Sequence, residues 1–161
     1  VRTGIDLAEV ARVEQVMSQP GLAERVFTPR ELAYCSRRRQ AGEHLAGRWA
    51  AKEAVLKSLG TGMGPRMEWT DIEVVNDRAG RPQVRLYGEV EAVARSLGMD
   101  HIEISLSHSG GLAVAHAVLV CLPGPPDTAP VPEPSPRTTP DTAPAPARTT
   151  HTAEGDDRHE V

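Results

Sequence analysis

Leu45-Ala46-Gly47-Arg48-Trp49-Ala50-Ala51-Lys52-Glu53-Ala54-Val55-Leu56-Lys57 reads as the body of a long helix, expected from Glu43 to Leu59 and closed by Gly60. On its wheel Leu45, Trp49, Leu56 and Leu59 form the main apolar arc. Arg48 and Lys52 fall within or beside that arc, where a simple surface helix would carry apolar groups. A second stripe, Ala46, Ala50, Glu53 and Lys57, sets two small residues beside a carboxylate and an ammonium and predicts room for something to approach. Lys52 and Lys57 are the chain's two lysines against sixteen arginines. A lysine kept where arginine is the default cation points to a site that needs a compact, flexible ammonium. The simplest alternative for Glu53 and Lys57 is an i, i+4 surface ion pair.

The elements around this helix are short. Val1 to Asp6 predicts a strand that ends on a carboxylate, and Leu7, Val10, Val13 and Met17 have helical spacing until Pro20-Gly21 breaks it. Thr28-Pro29-Arg30-Glu31 has the form of a capped helix start, and that helix runs toward Arg37-Arg38-Arg39. Ile72 to Val75 and Gln83 to Leu86 predict a hairpin, Glu89 to Leu97 an amphipathic helix, and Ile102 to Ser107 and Leu112 to Leu122 two further strands. Gly60-Thr61-Gly62-Met63-Gly64-Pro65 follows a helix, whereas phosphate-cradling loops precede one, so it reads as a connector. The order lacks a regular βαβ rhythm and predicts an α+β fold: a small single domain with the long helix packed on a mainly antiparallel sheet.

Composition divides the chain at Leu122. Residues 1–122 hold fifteen Lys plus Arg and fifteen Asp plus Glu, so overall basicity gives no argument for nucleic acid, and Arg37 to Arg39 reads as a solvated charge run. Residues 123–161 carry ten of the fourteen prolines, seven acidic and three basic residues, and they predict a disordered Pro/Thr-rich acidic tail. Two cysteines without metal spacing suit a reducing compartment. The charged start lacks the apolar core of a signal peptide, and no run reaches membrane-spanning length, so a cytoplasmic protein with no membrane partner is expected.

Asp6 and Glu53 are two carboxylates suited to a hard, oxygen-liganded ion such as Mg2+, and Lys57 and His108 suit phosphate oxygens. Taken together, Gly4-Ile5-Asp6 with Arg12, Phe27-Thr28 with Glu31, the Leu45 to Ala54 motif, Gly60-Thr61-Gly62, Gly80-Arg81-Pro82 and Ser105-Leu106-Ser107-His108 resemble the holo-[acyl-carrier-protein] synthase family in order and spacing. This is the small type of 4'-phosphopantetheinyl transferase, and the resemblance covers residues 3 to 120.

The resemblance implies the 4'-phosphopantetheinyl transferase fold and transfer of the phosphopantetheine arm of coenzyme A to a serine of an apo acyl carrier protein, with release of 3',5'-ADP, as in fatty acid biosynthesis. It implies that Asp6 and Glu53 hold Mg2+, that Lys57 and His108 act catalytically on phosphate oxygens, and that Arg48 binds the nucleotide end near its 3'-phosphate. Arg81, Pro82 and Ser107 are implied as further coenzyme A contacts. Arg12 and Arg25 are implied to dock the acidic carrier protein, although Met17 to Leu22 lacks basic residues common there in the family. A homotrimer with its sites at subunit interfaces is also implied, which would give Arg48 and Lys52 an interface role. The competing reading is a catalytically silent carrier-docking module of a synthase complex. A chain ending at Leu122 is expected to fold and to keep its assembly and turnover; loss of oligomer in size-exclusion chromatography would show that residues 123–161 take part.

Overall fold

The structure, a computed structural model, describes residues 1–122, so the expectation for the Pro/Thr-rich segment lies outside the described residues. Strand β1 (Arg2–Glu9) leads into α1 (Val10–Met17), α2 (Leu22–Val26), α3 (Pro29–Ser36) and the long α4 (Ala41–Leu59). A 3-10 turn at Trp69–Asp71 opens the hairpin of β2 (Ile72–Asn76) and β3 (Pro82–Leu86); α5 (Gly88–Ser96), β4 (Met99–Ser109) and β5 (Leu112–Cys121) complete the fold. The strands form two antiparallel sheets, β1-β5-β4 and β2-β3. The α+β expectation holds.

Small residues set the distance between α4 and the larger sheet. Ala46, Ala50 and Ala54 on the helix and Ala113, Ala115 and Ala117 on β5 are all buried. At Gly4 on β1 a Cβ would lie 2.0 Å from the Ala54 carbonyl oxygen, a contact only glycine avoids. The space expected for an approaching ligand along Ala46 and Ala50 is therefore filled by the protein's own sheet. On another side α4 packs against Ile72 and Val74 of β2, so it is buried on more than one face. This explains why polar residues break its apparent apolar arc.

The predicted helix from Leu7 starts later. Leu7 pairs with Val114 and Ala8 with Ala113, which extends β1 to Glu9, and the helix begins at Val10. Leu7 is 60% exposed on the face away from α4, so it follows a strand's alternation and its helical spacing was coincidental. The five-residue α2, after Gly21 at φ +74°, had no sequence signal long enough to read.

Helix α3 starts as expected. Glu31 N–H donates to Thr28 Oγ1 at 3.3 Å, and Thr28 N–H donates to Glu31 Oε2 at 2.8 Å. Glu31 does more than cap. Its Oε1 accepts from Val74 N–H at 3.0 Å, and its Oε2 lies 2.9 Å from Lys52 Nζ, both side chains being 0% exposed.

Lys52 Nζ also donates to the Trp69 carbonyl oxygen at 2.9 Å and to the Ile72 carbonyl oxygen. Lys52 is thus satisfied inside one chain, which replaces the subunit-interface role expected for it. Burial lowers the Lys52 pKa, and Glu31 opposes that shift by charge and hydrogen bond. The pair joins α3, α4 and the start of β2 through one ammonium. Breaking a buried pair strands a charge, so Lys52→Met or Glu31→Gln is expected to cost about 3–5 kcal/mol in urea unfolding, with an unchanged m-value; a loss below about 1 kcal/mol would place the pair in contact with water.

Candidate active site

Asp6 and Glu53 meet where β1 crosses the later half of α4. Gly4 allows the close crossing, and Asp6, two residues on, lies on the same face of the strand. Lys57 Nζ lies 2.7 Å from Asp6 Oδ1. The lysine therefore bridges helix and strand, and the i, i+4 pairing with Glu53 gives way to a tertiary contact. Glu53 stands one turn earlier on the same helix.

Burial raises the Glu53 pKa, the Asp6 charge raises it further, and Lys57 partly offsets both. The Lys57 pKa is raised, first by its hydrogen bond to Asp6 and then by the charges of Asp6 and Glu53, against an opposing effect of burial. Asp6 and Glu53 line a cleft of about 630 Å³ with Glu9, Arg12, Val13 and Trp49. A neighbouring cleft of about 750 Å³ shares Val16, Met17 and Trp49 and adds Arg25, Met63 and Met67. Arg12 and Arg25 thus line two adjoining clefts, the first of which holds the carboxylate pair.

The remaining predicted residues lie elsewhere. His108, near the end of β4, has Nδ1 2.8 Å from Glu43 Oε2, and its ring meets His44 edge-on at 6.0 Å. Glu43 is ten residues before Glu53, about 15 Å along a helix axis. Arg48 Nη2 donates to Asn76 Oδ1 at 2.8 Å, and its guanidinium lies 4.2 Å from the Tyr34 ring centroid. Its Nε is buried with no partner. Arg48 lines a cleft of about 610 Å³ with Arg30, Arg78, Arg85, Tyr34 and Asn76.

Arg81, with Nη2 2.7 Å from Glu103 Oε2, and Pro82, paired with Asn76, stand at the hairpin end. Ser107 faces the opposite side of β4 from His108, level with Val114 and Leu7. One chain therefore carries two separate groups: Asp6, Glu53, Lys57 and Arg12 in one place, and Arg48, His108, Arg81 and Pro82 toward the other end of α4. Glu43, Tyr34, His44 and Asn76, which hold the second group, were not picked out from the sequence. Their partners lie on other elements, and no local pattern marks such contacts.

Residues 2–117 match the family model of the 4'-phosphopantetheinyl transferase superfamily. The chain belongs to this superfamily. Holo-[acyl-carrier-protein] synthase of Geobacter sp. (strain M21) is 45% identical over 119 residues, covering 73% of this chain and 95% of its own length. The synthase of Moorella thermoacetica is 46% identical over 120 residues, covering 74% and 93%. Among solved structures, the ACPS-CoA complex of Chronobacterium ammoniagenes superposes with a TM-score of 0.66 at 38% identity, covering 75% of this chain and 97% of that one. The Bacillus anthracis synthase in complex with CoA (3',5'-ADP) gives 0.62 at 34% identity, covering 76% and 97%. Like these transferases, the chain is an α+β domain, and no helix of the described residues is long and apolar enough to cross a membrane.

The electrostatics of Glu53 make a directional prediction. A carboxyl with a higher pKa in the folded than in the unfolded chain holds its proton more tightly when folded, so ionised Glu53 costs stability above its folded pKa. That cost vanishes as pH falls below the unfolded value of about 4. Glu53→Gln is expected to raise the thermal midpoint at pH 7.5, with the gain shrinking to nothing near about pH 4. A variant less stable than wild type at neutral pH would mean that Glu53 is a structural ion-pair partner.

Proposed function

We propose that this transferase moves the 4'-phosphopantetheine arm of coenzyme A to a serine hydroxyl of an apo acyl carrier protein, giving holo carrier protein and 3',5'-ADP, in the cytoplasm. The observation that carries the reading is the cleft in which Asp6, Glu53 and Arg12 stand together, with Lys57 on Asp6. Metal-binding carboxylates, a phosphate-seeking ammonium and a carrier-facing guanidinium are what this reaction needs at one point.

Mg2+ fits the donor set. Among the described residues no three His, Cys, Asp or Glu side chains form a metal-holding group. Two carboxylates suffice for an ion that keeps waters and takes phosphate oxygens, and a divalent cation would relieve the Asp6 repulsion that adds to burial in raising the Glu53 pKa. Asp6 and Glu53 would hold it; when bound, it supplies positive charge against the diphosphate and the departing oxygen of 3',5'-ADP. The serine oxygen attacks the phosphorus nearer the pantetheine, and the bond to the ADP oxygen breaks. Glu53, which lines the cleft, would take the serine proton through a water. Lys57 would meet the diphosphate, and Arg12 and Arg25 would hold the acidic carrier protein beside it.

A second copy would complete the site. The outer face of β1-β5-β4 presents Ile5 at 61% exposure and Leu7 at 60%, with Leu112 and Val114 beside them. Such an apolar sheet face favours self-association. A homotrimer in which each copy sets its Arg48, His108, Arg81, Pro82 and Ser107 toward its neighbour's Asp6 and Glu53 would join the two groups and bind the nucleotide end of coenzyme A.

The test is intact mass measurement of apo carrier proteins incubated with the protein, coenzyme A and Mg2+. Transfer is expected with wild type and lost with Asp6→Asn or His108→Ala. Lys57→Arg should lower kcat at least about tenfold, or about 1.4 kcal/mol. Unfolding and refolding Asp6→Asn and His108→Ala together should restore up to about one quarter of wild-type turnover, because in a random mixture a quarter of the interfaces pair two intact halves. No transfer to any carrier would leave the docking-module reading; full activity of each variant would remove the site.

A further inference from the structure

Lys57 stands on a group that, on the reading above, the metal needs. Its ammonium lies 2.7 Å from Asp6 Oδ1, and its side chain is 51% exposed. An ammonium at that distance takes up part of the carboxylate's acceptor capacity and repels a cation brought to the same group, so it competes with a metal for Asp6. The exposed four-carbon stem can swing away without disturbing the core, whereas an arginine fork would grip the carboxylate through two hydrogen bonds. Among the described residues no cation forms an ion pair with Glu53, one turn earlier on α4.

We propose that Lys57 links metal binding to diphosphate binding by competing with the metal for Asp6. This rests on the coenzyme A reading and adds an order of events to it. Without coenzyme A the ammonium holds Asp6 and keeps metal affinity low. When the diphosphate arrives, the ammonium transfers to its oxygens and Asp6 is released to the cation. The coupling is reciprocal, so the metal in turn favours Lys57 on the diphosphate. The site then fills with the pair of ligands in preference to either alone.

Mn2+, which shares the preference of Mg2+ for oxygen ligands, serves as the probe, with its free concentration read by electron paramagnetic resonance on the full chain. Lys57→Gln is expected to bind Mn2+ alone at least about fivefold more tightly than wild type, and Lys57→Arg no more tightly than wild type. Arg12→Gln removes one positive charge from the cleft that Asp6 and Glu53 line without touching Asp6, and it should change Mn2+ affinity by less than about twofold because a solvated charge is screened. Saturating coenzyme A should close the gap between wild type and Lys57→Gln. The proposal is overturned if Lys57→Gln binds Mn2+ no better than wild type, if Arg12→Gln tightens binding as much, or if the gap persists with coenzyme A. Should wild type turn over while any of these holds, only the coupling fails. Should neither protein bind Mn2+ even with coenzyme A, the assignment of Asp6 and Glu53 to the metal fails and takes the coupling with it.

Discussion

The close approach of α4 to the sheet is the constraint on which the site depends. Gly4 brings β1 against the helix backbone at Ala54, and the alanines of β5 let the rest of the sheet follow. A side chain at position 4 would push the strand outward by more than an ångström and lift Asp6 away from Lys57 and Glu53. The chemistry is thus spaced by backbone contact, which is stiffer than contact between flexible side chains. The aliphatic core, with Phe27 its one fully buried aromatic ring, is the counterpart of that tight packing.

Burial of α4 on more than one side also creates its electrostatic problem. Lys52 cannot reach water, so Glu31 and two backbone carbonyls must satisfy it where they stand. A pair of this kind adds little net stability compared with well-packed apolar groups, yet each half is costly without the other. Its geometric effect is clear: one ammonium ties α3 and the start of β2 to the turn of α4 that also carries Glu53. The two lysines therefore divide their work, one serving the interior and the other the cleft.

Signals confined to neighbouring residues were legible. Thr28 to Glu31 announced a capped helix, Gly60 its end on α4, and the β2–β3 hairpin and α5 followed from alternation and spacing. Leu7 misled because a strand position and a helix position can fall at the same spacing when a turn is short. Lys52 misled for a different reason. Its partner lies twenty-one residues away in sequence, and burial on a second face of α4 depends on where β2 lands. The carboxylates of the site were legible as chemistry, but their meeting was not, since it rests on the absence of a Cβ at position 4.

Lysine scarcity has a practical consequence for chemical probing. Lys52 is sealed inside the fold and Lys57 is open, and the sequence holds no other lysine. On the folded chain an amine-directed reagent therefore meets one side chain, besides the α-amino group, and that side chain stands on a cleft carboxylate. A mass shift on the peptide containing Lys57 becomes a footprint of whatever occupies that ammonium, without any tag or engineered label.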